Sequence, residues 1–254
     1  MFDTCLAGLP GRVALVTGGS RGIGAGISRA LAAQGAKVMV CGRDHVALAR
    51  LVEEIRSNGG QAEAVPADVT DENAVRALRL TAEATFGAIE LMVACAGGDG
   101  APRPLLQEDA LSWRRTLDAN LTSAFLTLKT FLPSMCERGR GAVVTMASAA
   151  GRQLSGASAP YAAAKAGLLS LTRQAALEVA GQGVRVNAIA PSAIVTDRLA
   201  AQPLEIRQAI AQGFPLKRLG TVDDVTAATL FLLSDAASWI TGATLDVAGG
   251  RVMI

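Results

Sequence analysis

Short apolar runs alternate with helix-length segments throughout the sequence, and this alternation constrains the fold more than any other feature. The first run, residues 12–17, is rich in β-branched side chains and lacks polar alternation, as expected for a strand covered on both faces. Similar runs recur at residues 37–41, 61–65, 89–95, 142–147, 184–190 and 244–247. Helical segments lie between them, at residues 23–34, 44–57, 71–86, 109–137, 161–180 and 223–233. We therefore expect an α/β fold of the Rossmann type, a doubly wound parallel sheet of about seven strands with helices on both faces.

Length and composition favour one domain over the whole chain, residues 1–254. Half of the residues are apolar and 18% are charged, which is ample material for a large core. No Pro-rich or Ser-rich linker, charge block or low-complexity tract marks a boundary. Residues 191–220 interrupt the alternation as a loop-rich insertion, which we interpret as a substrate lid within the domain.

Charge and cysteine usage argue against several classes of protein. The formal net charge of +2 argues against a nucleic-acid partner, because phosphate-driven binding requires clustered positive charge. The longest apolar segments are too short to span a membrane, and residues 1–5 do not look like a secretion signal. The single histidine, His45, excludes a His-rich metal site, and we predict no bound metal. The cysteines form no CxxC motif and predict reduced thiols in a cytoplasmic protein: Cys5, Cys41, Cys95 and Cys136.

A glycine-rich turn follows the first predicted strand and opens the first predicted helix. Its glycines have the spacing Gly18-xxx-Gly22-x-Gly24. Gly18 permits a tight turn, Gly22 lets the backbone approach a pyrophosphate, and Gly24 lets the helix pack against the strand. The helix N-terminus then offers N–H donors to an anion. The turn therefore predicts a dinucleotide site, with a glycine-rich connector that binds nothing as the weaker alternative.

The end of the second predicted strand indicates which dinucleotide is bound. A carboxylate usually reads the adenosine ribose at this place, but the sequence there is Cys41-Gly42-Arg43. Arg43 and Arg21 can together hold a 2′-phosphate, because guanidinium groups match phosphate oxygens. We therefore favour NADP(H) over NAD(H). Two alternatives remain open: Arg43 is a solvated surface charge, or Asp44 reaches the ribose and reverses the preference.

Three polar residues in the second half form a candidate proton-transfer group. Ser148 follows a predicted strand, while Tyr161, the only tyrosine, and Lys165 lie one turn apart on a helix. Lowering a phenol pKa from about 10 to about 7 requires roughly 4 kcal/mol. One positive charge at about 4–5 Å supplies about that much at an effective dielectric constant near 20, so we expect Lys165 to be nearly sufficient. The alternative is an ordinary helix pair beside a loop serine.

With these motifs the chain resembles the short-chain dehydrogenase/reductase family over nearly its whole length. Thr17–Gly24 resembles the family's TGxxxGxG motif, and Ser148, Tyr161 and Lys165 match its catalytic residues. The resemblance adds Asn120 as a catalytic residue that supports a water-linked proton relay with the lysine. It implies a set of cofactor contacts that includes the turn and both catalytic-helix residues: Gly18, Ser20, Arg21, Gly22, Ile23, Gly24, Arg43, Asp68, Val69, Ala96, Gly97, Tyr161, Lys165, Pro191, Ile194 and Thr196.

The sequence departs from the family pattern at two places. The family's Asn-Asn-Ala-Gly segment is Ala94–Gly97 here, and we interpret Cys95 as a small apolar filler rather than a reactive thiol. The family's Pro-Gly is Pro191-Ser192. Neither change removes a proposed catalytic group.

The resemblance implies hydride transfer between NADP(H) and a ketone or secondary alcohol, with Tyr161 as the general acid–base. The pattern is most similar to 3-oxoacyl-carrier-protein reductases and general carbonyl reductases, which are usually homotetramers or homodimers. Three alternative functions remain open. The first is an NAD-dependent alcohol dehydrogenase of the same fold, and the second is a sugar epimerase. The third is a redox sensor or scaffold that binds the cofactor without turnover.

Several further residues are candidates to meet the substrate, a small carbonyl or alcohol compound. Leu154, Ile194 and Leu199 indicate an apolar pocket, unless they only pack the lid down. Arg103 and Arg152 are candidates to meet an acidic substrate or carrier, unless they are ordinary surface arginines.

Overall fold

A seven-stranded parallel sheet forms the centre of the protein. The computed structural model describes residues 7–98 and 102–253. The strands of the sheet are β1 Val13–Thr17, β2 Lys37–Gly42, β3 Gln61–Pro66, β4 Leu91–Ala94, β5 Gly141–Met146, β6 Val184–Pro191 and β9 Thr244–Val247. Their order is β3-β2-β1-β4-β5-β6-β9, and every pairing is parallel. The predicted Rossmann-type sheet of about seven strands is therefore confirmed.

Helices cover both faces of this sheet. The helices of eight residues or more are α1 Gly22–Ala33, α2 His45–Ser57, α3 Glu72–Phe86, α4 Ala110–Leu117, α5 Ser123–Glu137, α6 Ala159–Val179, α8 Leu204–Gln212 and α9 Val222–Leu233. Successive strand side chains alternate between the two faces. Ala14 and Val16 of β1 pack in one apolar cluster with α1, α2 and α9. Val13 and Leu15 pack in a second cluster with α3, α5 and α6.

The long helix expected over residues 109–137 is interrupted in the structure. After α4 the chain makes one π-helical turn, Asp118–Thr122, before α5 begins. Asn120 lies in this turn, is fully buried and donates its side-chain N–H to the carbonyl of Thr116 at 2.9 Å. A π turn holds one residue more than an α turn and is frequent at functional sites. The wider turn directs the side chain of Asn120 toward the interior. The spacing of apolar residues in the sequence gives no sign of this shift.

The insertion at residues 191–220 is more regular than the predicted loop. It contains the short helix α7 Asp197–Ala200 and the helix α8. Its two ends pair as a small parallel sheet, β7 Ile194–Val195 with β8 Gly220–Thr221. Thr221 and Asp224 then form a capping box at the start of α9. The lid therefore starts and ends at one place on the core.

The structure also bears on the predictions that the chain lacks a membrane span and that its cysteines are reduced. Among the described residues, no helix combines the length and the apolarity that a membrane span needs. Three cysteines are free thiols: Cys41, Cys95 and Cys136. Cys5 lies outside the described residues.

Candidate active site

A cavity of about 900 Å³ lies at the carboxyl ends of β1, β2, β4, β5 and β6. This is the edge at which parallel sheets bind ligands. Gly22 and Asn120 are not among its lining residues. All other predicted site residues line it: Gly18, Ser20, Arg21, Ile23, Gly24, Arg43, Asp68, Val69, Ala96, Gly97, Ser148, Tyr161, Lys165, Pro191, Ile194 and Thr196.

The glycine-rich turn lies against the neighbouring backbone as the spacing predicts. Gly18 has a φ of +65°, and a Cβ there would lie 2.7 Å from the Cα of Ala96. A Cβ on Gly24 would lie 2.3 Å from the carbonyl oxygen of Gly18. Gly22 has a φ of +52° and faces the lid at Thr196. Side chains at these positions would force the turn away from β4, from α1 or from the lid.

The N-terminus of α1, like that of α8, has no side-chain cap, whereas those of α2, α3, α4 and α9 have one. The N-cap residue of α1, Arg21, makes no capping hydrogen bond, and the first turn carries no carboxylate. The other four helices are capped by Asp44, Asp71, Asp109 and Thr221. The first N–H groups of α1 are thus left to an anion, which fits the pyrophosphate of a dinucleotide.

Two arginine–aspartate pairs line the cavity beyond the end of β2. Arg43 is 81% exposed, and its Nη1 lies 3.9 Å from Oδ2 of Asp68. Arg21 is hydrogen-bonded to Asp44. Asp44 also accepts the amide of Ala47 at 2.9 Å as the predicted cap of α2, and this hydrogen bond is the main reason that the pKa of Asp44 lies below its usual value.

Lys165 is buried beside the ring of Tyr161. Its Nζ lies 5.6 Å from the centroid of that ring and donates to the carbonyl of Met146 at 2.7 Å. Only 4% of Lys165 is exposed, and this burial lowers the pKa of its amine to about 8. Cys95 also lines the cavity, and burial raises the pKa of its thiol to about 11. Cys95 is therefore a neutral thiol near pH 7, which agrees with its interpretation as a filler.

The pKa of Tyr161 is shifted in the direction opposite to our expectation. Burial raises it above its usual value, and a hydrogen bond with the side chain of Ser148 offsets only part of that effect. The expectation that Lys165 alone brings this pKa close to 7 is therefore wrong. The physical reason is that Tyr161 and Lys165 are both removed from water, and the same desolvation disfavours phenolate and ammonium alike.

Ser148 begins the turn that follows β5. Its Oγ accepts the amide of Ala150 at 3.1 Å, and its carbonyl accepts the amide of Gly151 at 2.9 Å. The side-chain hydrogen bond with Tyr161 places the two hydroxyl groups together at the cavity wall. A carbonyl oxygen in this part of the cavity can meet both groups.

Asn120 stands behind the cavity and fixes its wall. Its Oδ1 accepts the amide of Gly98 at 3.0 Å, and its Nδ2 donates to the carbonyl of Gly98 at 2.8 Å. A Cβ on Gly97 would lie 2.5 Å from Oδ1 of Asn120 and 3.4 Å from Nζ of Lys165. The asparagine side chain therefore ties the segment after β4 to the π turn.

The candidate substrate residues divide into two groups. Ile194 and Leu199 line the cavity, whereas Leu154 is 98% exposed and does not. Arg103 and Arg152 do not line it either: each is paired with a carboxylate, Asp109 in the first case and Asp246 in the second.

Two helices of the lid that the sequence did not predict form part of the cavity: α7, through Arg198 and Leu199, and α8. Ile206 and Ile210 of α8 line it from the lid, together with Gln202. The spacing of the two isoleucines, one helical turn apart, is the signal that could have identified this helix.

Comparison with known proteins identifies the family. A family model described as enoyl-(acyl carrier protein) reductase matches residues 18–251. Cis-4-hydroxycyclohexanecarboxylate dehydrogenase of Sinomonas cyclohexanicum is 42% identical over 96% of this chain and 97% of its own length. The 7alpha-hydroxysteroid dehydrogenase of Escherichia coli (strain K12) is 37% identical over 99% of this chain and 98% of its own length. The chain belongs to the short-chain dehydrogenase/reductase family.

Solved structures of short-chain dehydrogenases/reductases match the fold over nearly the whole chain. A 7 alpha-hydroxysteroid dehydrogenase complexed with NADH and 7-oxo glycochenodeoxycholic acid aligns with a TM-score of 0.93 at 37% identity, over 100% of this chain and 99% of that one. Levodione reductase aligns with a TM-score of 0.91 at 33% identity, over 95% of this chain and 98% of that one. The resemblance inferred from the sequence motifs is confirmed. This short-chain dehydrogenase/reductase is an oxidoreductase that acts on alcohol or carbonyl groups.

Proposed function

We propose that this enzyme transfers a hydride between NADP(H) and a ketone or secondary alcohol, and that it works as a ketoreductase or carbonyl reductase. One observation carries the proposal: Ser148, Tyr161 and Lys165 line the same cavity as the glycine turn at the uncapped start of α1. The dinucleotide and the proton donor can therefore meet one substrate carbonyl.

Residues that line the cavity would hold the cofactor. The α1 amide groups would bind the pyrophosphate, Asp68 and Val69 would contact the adenosine, and Thr196 and Ile194 of the lid would contact the nicotinamide end. When bound, the reduced cofactor supplies a hydride to the carbonyl carbon, and the oxidised cofactor supplies a positive charge. Lys165 lies at the cavity wall between Tyr161 and Gly97, where its ammonium group can meet the nicotinamide ribose.

Tyr161 supplies the proton in the direction of reduction. Because burial raises the pKa of its phenol, the group is protonated at neutral pH and can act as a general acid. As the carbonyl oxygen gains charge, the phenol proton passes to it while Ser148 donates a hydrogen bond to the same oxygen. Asn120 holds the backbone that supports the proposed relay to Lys165.

The arrangement at the end of β2 supports NADP(H) over NAD(H). The carboxylate of Asp44 is engaged by the amide of Ala47 and by Arg21. It could contact a ribose only by giving up the hydrogen bond that caps α2. Arg43 is exposed at the cavity rim, where its guanidinium can bind a 2′-phosphate.

The decisive experiment measures NADPH oxidation with a panel of ketones for the native enzyme and Tyr161→Phe. We expect the variant to lose activity by at least about 100-fold while NADPH binding, followed by cofactor fluorescence, is unchanged. Turnover of Tyr161→Phe at the native rate would contradict the mechanism. NADPH binding without turnover of any ketone would instead indicate a sensor or scaffold.

Arg43→Ala tests the cofactor preference separately. We expect kcat/KM to fall about tenfold or more with NADPH and to stay unchanged with NADH. Arg50→Ala is the control, because Arg50 lies on the neighbouring helix α2 and does not line the cavity. Equal losses with both cofactors would contradict the role of Arg43.

We further propose that the enzyme is a cytoplasmic homotetramer or homodimer. Large apolar side chains are exposed on three neighbouring helices: Trp113 of α4, Phe125 of α5 and Leu177 of α6. Burial of such side chains against another copy would be favourable. The free thiols of the described residues support a reducing compartment.

A further inference from the structure

The turn that carries Ser148 is joined to the last strand of the sheet by a bidentate ion pair. Arg152 donates from Nε to Oδ1 of Asp246 at 3.1 Å and from Nη2 to Oδ2 at 2.9 Å. The two side chains are only 18% and 16% exposed. Two parallel hydrogen bonds from one guanidinium fix both the distance and the orientation of the partners, in a way that a single exposed contact does not.

Arg152 belongs to the same hydrogen-bonded turn as Ser148. The amide of Arg152 donates to the carbonyl of Ala149 at 3.0 Å, directly after the Gly151–Ser148 hydrogen bond. The Oγ of Ser148 accepts from Ala150 in the middle of this turn. A rotation of the turn would therefore move the serine hydroxyl with it.

The opposite side of the turn rests on the catalytic helix. A Cβ on Gly151 would lie 2.6 Å from the backbone carbon of Lys165 and from the amide of Ala166. The turn is thus held between α6 on one side and β9 on the other. On the α6 side the turn also has the hydrogen bond of Ser148 with Tyr161, whereas on the β9 side it is held by the side-chain pair of Arg152 and Asp246.

We infer that Arg152 and Asp246 are positioning residues that direct the hydroxyl of Ser148 toward the substrate oxygen and the phenol of Tyr161. The inference rests on the proposed function, since it assigns Ser148 a contact with the substrate. Neither residue lines the cavity, so their effect on the reaction passes through the turn. A misplacement of about 1 Å at a reacting group can reduce a rate about 100-fold, so a loosened turn has a measurable kinetic consequence.

The test is a double-mutant cycle between Arg152→Met and Ser148→Ala, measured as kcat with NADPH and a ketone. We expect Arg152→Met to lower kcat about tenfold in the native background, with the KM for NADPH unchanged. In the Ser148→Ala background the same change should have no further effect, because the group that it positions is absent. An equal loss in both backgrounds, or no loss in either, would overturn the inference.

Two further variants separate positioning from general stability. The charge exchange Arg152→Asp with Asp246→Arg should recover most of the lost kcat, whereas each single change should lower it. Arg29→Met is the control for the loss of a two-bond ion pair, because Arg29 makes such a pair with Glu54 at 2.7 and 2.8 Å, with both side chains 47% exposed and away from the cavity. We expect native kcat from this control, and a tenfold loss from it would show that any such pair matters equally.

Hydrogen exchange gives a readout that does not require turnover. If the pair holds the turn, the amides of Ala150 and Gly151 should exchange at least about tenfold faster in Arg152→Met, while amides in α2 keep their rates. Unchanged exchange at both amides would overturn the inference even if kcat fell. Failure of the proposed function is distinguishable, because it would appear as a native enzyme that reduces no ketone.

Discussion

At the scale of single residues, the site buries the side chains that carry charge or protons in the proposed reaction. The amine of Lys165 is buried with a pKa of about 8, against an ordinary value of 10.5. One pKa unit corresponds to about 1.4 kcal/mol, so keeping this amine protonated in the folded state costs about 3 kcal/mol. Its hydrogen bond to the carbonyl of Met146 offsets about 1 kcal/mol of that cost.

Lys165→Met should therefore raise stability and abolish activity. At pH 7 we expect the free energy of unfolding to increase by about 2 kcal/mol, because the buried charge is removed and an apolar chain of similar length takes its place. Urea denaturation measures the stability, and NADPH oxidation measures the loss of activity.

The same variant has a predicted pH dependence. Between about pH 8 and 10.5 the unfolded lysine is protonated while the folded one is neutral, so the native enzyme gains stability as the pH rises through this range. The advantage of Lys165→Met should be largest below pH 8 and should shrink toward pH 10. An advantage that is constant from pH 7 to 10, or a variant less stable than the native enzyme at pH 7, would contradict this account.

At the scale of secondary structure elements, the junction of α4 and α5 positions the cavity wall. Asn120 in the π turn is bonded to both backbone groups of Gly98 and to the carbonyl of Thr116. The helix, the turn and the segment after β4 therefore share one buried amide group. A buried donor or acceptor that loses its partner costs about 1–3 kcal/mol.

Asn120→Ala should destabilise the protein by about 3 kcal/mol, because the buried side chain loses three hydrogen bonds that contribute about 1 kcal/mol each. Thermal unfolding followed by circular dichroism measures this change. Asn73→Ala on α3 is the control. Because Asn73 is exposed, this substitution should change the free energy of unfolding of the protein by less than about 0.5 kcal/mol. Equal effects of the two substitutions would contradict the role given to the π turn.

At the scale of the whole molecule, the arrangement of the helices leaves apolar side chains uncovered. Phe125 of α5 is 45% exposed and Leu177 of α6 is 77% exposed, although both helices bury their other face on the sheet. A side chain of this size contributes about 1.5–3 kcal/mol when it is removed from water.

Phe125→Glu should shift the enzyme toward a smaller assembly. The substitution places a charge in the proposed interface, where desolvation disfavours it. Light scattering coupled to size-exclusion chromatography measures the mass, which for one chain is 25.9 kDa. Leu80→Glu is the control, since Leu80 is 71% exposed on α3, outside the three helices of the proposed interface. A native mass for Phe125→Glu, or a native enzyme that is monomeric, would contradict the proposal.

Much of the fold was predictable because its signals are local. Hydrophobic periodicity predicted the seven strands of the sheet and most helices, and side-chain chemistry predicted the Asp44 cap. The spacing of Gly18, Gly22 and Gly24 marked the turn, and the interval from Tyr161 to Lys165 placed both on one helical face. Each of these features depends on residues a few positions apart, so local patterns were enough to predict the fold class and the motif residues of the site, while the family resemblance supplied the others.

Properties that depend on residues far apart in the sequence became visible in the folded structure alone. The raised pKa of Tyr161 follows from burial by many segments, and the partner of Arg152 lies 94 positions away at Asp246. The folding of the lid depends on the pairing of Ile194 with Gly220 across the insertion. Desolvation and long-range pairing arise when the chain closes on itself, and no local pattern encodes their magnitude.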